Sequence, residues 1–206
     1  MKKHFPKLTA LCLALCMVCA MSATAFAAEI DTSGGSGTTP VHLTTTNGGI
    51  GGGSGTTPTK LNVVVPTSLP MAMSDEGDVV TATDCKIVNN SYGAVRVKSV
   101  SITAASGWHL TAFGNKSSLA GEKVDSNKLG FAMNIGGGAQ VKTASDAATQ
   151  NLITAPIAGC YMTGAGDSAA NSVKIDYSAI VTPLSGAVNN ATVASVVFVI
   201  EWDTAA

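Results

Sequence analysis

Apolar and polar residues alternate along most of the chain after residue 60, and a period of two predicts β-strands rather than helices. The clearest run places polar Lys174, Asp176 and Ser178 between apolar or aromatic neighbours from residue 173 to 181. Shorter runs lie at residues 61–65, 79–87, 95–102, 129–135 and 196–202, with turn-forming residues between them. About seven short strands predict one all-β domain over residues 60–206, a β-sandwich of the Ig-like or jelly-roll-like kind.

One of these strands changes face in its middle. Val95 and Val97 have odd numbers, whereas Val100 and Ile102 have even numbers. Because each face of a strand carries every second residue, both pairs reach the core only if one extra residue lies between them. We therefore predict a β-bulge near residues 98–99.

The last strand is apolar on both faces. Phe198, Ile200 and Trp202 share one face, while Val197 and Val199 lie on the other. Strands covered on both sides show such continuous apolar runs, so the pattern predicts a central strand. Residues 143–171, which are rich in Ala, Gly, Thr and Asp, predict an irregular segment.

Residues 1–27 have the parts of a secretory signal peptide. Three lysines give a positive start, residues 8–26 carry no charge, and the Ala-Phe-Ala that ends at Ala27 fits a signal-peptidase site. The apolar run is short for a membrane span of about 20 residues. We expect cleavage after Ala27 and a secreted protein that is extracellular or associated with the cell wall.

Residues 28–59 are predicted to be a linker. The heptapeptide Gly-Gly-Ser-Gly-Thr-Thr-Pro occurs at residues 34–40 and again at 52–58. Sequence rich in Gly and Ser buries too little apolar surface to offset its ordering entropy, so it is typical of a flexible tether. Between the repeats, residues 41–46 (Val-His-Leu-Thr-Thr-Thr) are either a short strand or a less flexible piece of linker.

Loss of the signal peptide changes the charge of the chain. It removes three lysines and no acid, which leaves 9 Lys and Arg against 13 Asp and Glu, a net charge of −4. A nucleic-acid partner is not expected, because nucleic-acid-binding proteins carry a basic excess. No later apolar run approaches the roughly 18 residues of a membrane helix, so no membrane span is expected in the mature chain.

Cleavage also leaves two of the five cysteines, Cys85 and Cys160. An even number of cysteines in an exported protein permits one disulfide. The alternative is two separate thiols, with Cys85 buried as a small hydrophobic side chain. Mass spectrometry without reduction distinguishes the two.

Residues that often carry catalysis or bind metals are scattered. His42 and His109 have no second histidine at metal-ligand spacing, and Ser168 has no evident base to take its proton. The acidic run at residues 75–78 lacks the ligand spacing of an EF-hand, so a solvated hairpin loop is favoured over a Ca²⁺ site. We therefore expect no enzyme activity, no cofactor and no metal.

Trp108-His109-Leu110, within Ser-Gly-Trp-His-Leu-Thr, resembles the first motif of WxL domains, which are exported Gram-positive proteins that attach non-covalently to peptidoglycan. That family has a second Trp-x-Leu at the end of an apolar strand near the C-terminus. Trp202 occupies this place here, with Thr204 instead of Leu. The resemblance implies wall binding through Trp108, Leu110 and Trp202. The alternative is that the two tryptophans are large core side chains.

The sequence leads to three functional hypotheses. The first is a non-catalytic surface protein, with an adhesive role, that binds peptidoglycan or another cell-surface polymer through its β-domain. The second is a subunit of an extracellular fibre, matrix or pilus-like assembly, in which residues 41–46 of one copy add a strand to an open sheet of another copy or of another surface protein. The third is a secreted hydrolase with a site dispersed over loops.

Overall fold

The computed structural model describes residues 60–205, and the predicted signal peptide and linker lie outside this part of the chain. The described residues form strands, turns and one short 3₁₀-helix at Lys116–Ser118. The all-β fold class is thereby confirmed. The strands are β1 (Val63–Val64), β2 (Met71–Met73), β3 (Val79–Thr81), β4 (Lys86–Asn89), β5 (Val95–Ala104), β6 (His109–Thr111), β7 (Lys128–Ile135), β8 (Val141–Lys142), β9 (Thr149–Ile153), β10 (Tyr161–Met162), β11 (Ser172–Val181) and β12 (Ala194–Trp202).

Within residues 60–205 the strands belong to three sheets. The largest has the order β1-β4-β11-β7-β6, and β8 also pairs with β7. The second, named the β5 sheet, has the order β10-β5-β12, and β9 also pairs with β5. β2 and β3 form a separate hairpin. All strand pairs are antiparallel except β6 with β7. No helix of this region has the length and apolar character needed to cross a membrane.

The two large sheets contribute side chains to one hydrophobic core. β5 supplies Val95, Val97, Val100 and Ile102, each at most 1% exposed, and β4, β7 and β11 supply side chains from the larger sheet. Burial of one such side chain stabilises the fold by roughly 1.5–3 kcal/mol. A core shared by two sheets fits the predicted sandwich, whose Ig-like or jelly-roll-like topology stays a prediction.

The predicted bulge in β5 is confirmed. Val199 of β12 lies opposite Ser99, and the next residue, Ile200, lies opposite Val97. Lys98 is therefore the extra residue, and its side chain is exposed. Because of this one residue, valines on both sides of the bulge reach the same core.

The predicted single strand over residues 79–87 is wrong. β3 and β4 are separate and belong to different sheets. Tyr177 of β11 bonds to the chain just after β3: its hydroxyl accepts a hydrogen bond from the Ala82 N–H at 3.2 Å and donates one to the Pro70 carbonyl. These bonds hold the β2–β3 hairpin beside β11, while β4 pairs with β11 in the larger sheet.

The segment 143–171, predicted to be irregular, contains two strands. β9 and β10 both pair with β5 on the side opposite β12. Their polar residues hide the alternation, since only Ile153 and Met162 are fully buried in them. Pairing with a long neighbour, rather than their own pattern, makes these residues strands.

The prediction that the last strand is central is also wrong. β12 pairs with β5, and no other strand of the described residues pairs with its second edge. Val197 and Val199 are 51% and 43% exposed. β12 is thus an edge strand whose outer face is apolar but uncovered.

Candidate functional site

The residues that the WxL resemblance singles out do not form one site. Leu110 is 0% exposed inside the core, and Trp108 and Trp202 are half-buried and pack against the same core. Trp202 lies opposite Val95, at the start of β5, whereas the Trp108 N–H donates to the carbonyl of Ala105, just beyond the other end of β5. Since β5 is about 30 Å long, the two tryptophans are far apart.

One end of the β5 sheet gathers exposed aromatic and charged side chains. Tyr161 of β10 lies opposite Arg96 of β5, and Arg96 lies opposite Glu201 of β12. These three side chains form a row on the outer face, because the neighbouring Val95 and Val97 face the core. Tyr161 is 47% exposed.

We name the surface formed by this row together with Lys98 and Asp203 the Tyr161 patch. Arg96 Nε lies 2.8 Å from Glu201 Oε1, Lys98 Nζ lies 3.0 Å from Glu201 Oε2, and Arg96 Nη1 lies 3.4 Å from Asp203 Oδ1. Hydrogen bonds from Lys98 and then Arg96 hold the pKa of the Glu201 carboxyl below its usual range. The hydrogen bond to Glu201 raises the pKa of Arg96. Exposed ion pairs add little stability, so their main effect here is to orient the charged groups.

Tyr92 and Trp202 lie at the same end of the β5 sheet. Tyr92, in the loop before β5, is 91% exposed. The next residue, Gly93, packs against Trp202, because an added Cβ there would lie 3.1 Å from the indole ring. Buried Asn89 anchors the loop by donating to the carbonyls of Gly93 at 2.9 Å and Thr163 at 2.8 Å. The loop is thus fixed by its packing against Trp202 and by the hydrogen bonds of Asn89, while the Tyr92 ring remains in solvent.

The Tyr161 patch carries side chains that can bind a polar ligand with apolar ring faces. An exposed phenol ring packs against apolar ring faces and offers a hydroxyl, while Arg96 and Glu201 offer donors and acceptors. A general acid needs a carboxyl with a raised pKa, so the lowered pKa of Glu201 does not favour that role.

The other sequence candidates lie elsewhere on the surface. His109 is exposed on β6, and Ser168 is exposed between β10 and β11, with no side-chain hydrogen bond joining them in the described region. The acidic run 75–78 forms the turn of the β2–β3 hairpin, as the favoured interpretation has it, and Asp78 pairs with Lys116 beside an open depression of about 410 Å³. From residue 60 to 205, no three His, Cys, Asp or Glu residues gather as a metal ion would require.

Cys85 and Cys160, the two cysteines within residues 60–205, are free thiols, so the disulfide that the sequence permits between them is not formed here. They adjoin different sheets: the Cys160 carbonyl accepts from Val97 of β5, and the Cys85 carbonyl accepts from Ile175 of β11. Cys160 is 0% exposed, and burial raises the pKa of its thiol. Cys85 is half-buried against the core.

Sequence reasoning found Trp202 but missed the residues around it. Tyr161 follows a segment without alternation. Arg96 occupies the ordinary solvent-facing position between two core valines, which gives no sign of a functional role. Their common feature is a row across three strands, which depends on the pairing of β10 and β12 with β5. No family model, curated protein or solved structure matches this chain.

Proposed function

We propose that this protein is a non-catalytic, secreted cell-surface protein that binds a wall polymer non-covalently through its β-domain, and that the Tyr161 patch makes the contact. The observation that carries the proposal is the exposed row of Tyr161, Arg96 and Glu201 across three neighbouring strands. The signal-peptide pattern of residues 1–27 and the WxL resemblance support an address at the wall of a Gram-positive cell.

The chemistry of peptidoglycan matches the chemistry of this patch. Sugar rings present apolar C–H faces that pack on an aromatic ring such as Tyr161, and their hydroxyl and acetamido groups hydrogen-bond to charged side chains. The stem peptides add carboxylates, which Arg96 can bind through its guanidinium group. Because the patch carries both signs of charge, specific short contacts contribute more than net charge does.

The three residues of the WxL resemblance, Trp108, Leu110 and Trp202, have different roles on this proposal. Trp108 and Leu110 support the core beside β6, far from the patch. Trp202 packs under Gly93 and so supports the loop that carries Tyr92. On this proposal, Trp202 acts by positioning the binding surface.

A pull-down with purified peptidoglycan tests the proposal. The secreted chain should sediment with the polymer, and Tyr161→Ala should reduce retention about tenfold, since aromatic anchors carry a large share of binding energy. Val124→Ala, at a 54% exposed position outside the patch, is the matched control and should bind as the parent does. Retention no better than that of an unrelated β-domain, or equal retention of Tyr161→Ala, would rule the proposal out.

Assembly by strand addition is the second candidate, and one observation favours it. β12 presents a long sheet edge that no described strand occupies. An added strand needs such an edge. If residues 41–46 are the donor, deletion of residues 28–59 should abolish fibre formation, whereas filaments that form unchanged would exclude this donor.

A further inference from the structure

The edge of β12 that does not pair with β5 is long, and no strand within residues 60–205 covers it. The other strands at sheet edges in residues 60–205 have two to five residues, whereas β12 has nine. Proteins usually protect long edges with lysines, prolines or bulges. β12 contains no Lys, Arg or Pro, and the bulge of this strand pair lies in β5. The one charged residue of β12, Glu201, is already paired with Arg96 and Lys98.

The hydrogen-bonding groups of this edge can be assigned from its neighbours. The Val193 carbonyl accepts from the Ala105 N–H at 3.0 Å, and the Asp203 N–H donates to the Ala94 carbonyl at 3.0 Å. Alternate residues of an antiparallel strand direct both backbone groups to the same neighbour. Odd-numbered residues of β12 therefore face β5.

The even-numbered residues of β12 direct their N–H and C=O groups away from β5. No described residue bonds to these groups. Unpaired backbone groups of this kind form a template for another strand. The residues are Ala194, Val196, Phe198, Ile200 and Trp202.

We infer that the free edge of β12 binds the β12 edge of a second copy of this chain, antiparallel and over its full length. Full overlap places Phe198 opposite Phe198 of the second copy. Val196 then faces Ile200, and Ala194 faces Trp202. Each pair joins two even-numbered residues, so every outward backbone group meets an outward backbone group of the other copy.

The side chains are self-complementary in the same register. On the outer face, exposed Val197 faces Val199 of the second copy, and this apolar pair occurs twice. Glu201 faces Ser195, so no like charges meet. On the core face, half-buried Phe198 packs beside Phe198 of the second copy, which removes further apolar surface from water.

The pairing has two-fold symmetry and closes at two chains, unlike the fibre of the strand-addition hypothesis. The symmetry axis is perpendicular to the joined sheet, so both Tyr161 patches lie on the same face. If the proposed function holds, two patches on one face increase binding to a repeating polymer through avidity. The dimer itself does not depend on that function.

Sedimentation equilibrium of the full secreted chain, without any polymer, tests the inference. We expect a reversible monomer–dimer equilibrium in the micromolar to submillimolar range. Val197→Lys should weaken the dimer about tenfold or more, since lysine on an edge strand opposes pairing. Val80→Lys, at a 70% exposed position on β3, is the matched control and should leave the equilibrium unchanged. If Val197→Lys fails to fold, Val199→Lys replaces it.

Ser195 tests the register. Ser195→Lys should tighten the dimer a few-fold because the new ammonium faces Glu201 of the second copy at both ends, and Ser195→Glu should weaken it similarly. A monomer at every concentration would overturn the inference. A dimer whose dissociation constant is unchanged by the substitutions at Val197 and Ser195 would also overturn it. So would a dimer that is lost only when residues 28–59 are deleted. Loss of wall binding with an intact dimer would count against the proposed function alone.

Discussion

Deletion of Lys98 should be less damaging than deletion of Ser101, although both residues belong to β5. Lys98 is the extra residue of the bulge, so its loss leaves Val97 and Val100 separated by one residue, as in a regular strand. Both valines then still face the core. Ser101 is a regular position opposite Val197, so its loss turns every side chain on one side of the deletion to the opposite face.

The difference can be estimated from burial. Val95, Val97 and Val100, each 0% exposed, lie on one side of Ser101, and Ile102, 1% exposed, lies on the other. The strand turns over on the side where this costs less, which is the side of Ile102. Exposing Ile102 costs about 1.5–3 kcal/mol, and the pairing of residues 102–104 with β9 and β12 is disturbed as well. Turning the three valines outward instead would cost about 5–9 kcal/mol and would move the charge of Arg96 into the core. Even the smaller cost is a large share of the stability of a typical domain, about 5–15 kcal/mol. Deletion of Lys98 removes one exposed ion pair and shortens the strand by about 3.3 Å, for which we expect a loss of about 1–2 kcal/mol.

Urea denaturation followed by circular dichroism measures both free energies of unfolding. The substitutions Lys98→Ala and Ser101→Ala are the controls, because they remove the side chains without changing the length of the strand. We expect both substitutions and the Lys98 deletion to fold, and the Ser101 deletion to be the least stable of the four variants. Equal stability of the two deletions would refute the role assigned to the bulge.

Three further predictions concern single side chains. Asn89→Asp should destabilise the fold by about 2–5 kcal/mol at neutral pH, because the Gly93 and Thr163 carbonyls lose their donor and a charge is placed at a buried position. Burial would raise the folded-state pKa of the new carboxyl, so the loss should shrink on acidification, and a pH-independent loss would contradict this. In the native protein, iodoacetamide should label Cys85 before Cys160, whose buried thiol has a raised pKa, and equal rates would argue against this burial. The pKa of Glu201 is lower in the folded state, so its ionised carboxylate stabilises the fold above the unfolded-state pKa. This stabilisation disappears as the pH falls through the folded-state pKa. Glu201→Gln should therefore lose less stability in acid than the parent does, which urea denaturation at several pH values measures.

The candidate site was only partly accessible from the sequence. Trp202 stands out because tryptophan is rare in this chain, and the terminal apolar run marks its strand. Tyr161 carries no such mark, because β10 has two residues and is held in place by β5. A surface built from short strands depends on its neighbours, which local periodicity does not report.

The sequence by itself determined which residues of the long strands face inward. In an extended strand successive side chains point to opposite faces, so the core face of β11 and the bulge near Lys98 follow from counting residues. The tertiary structure alone decided which edge each strand pairs with. The predicted strand 79–87 is divided at Ala82, where the Tyr177 hydroxyl bonds to residues about 100 positions away in the chain. β12 is likewise an exposed edge rather than a central strand. The sequence could not show this, because valines on an outer face look the same whether or not another layer covers them.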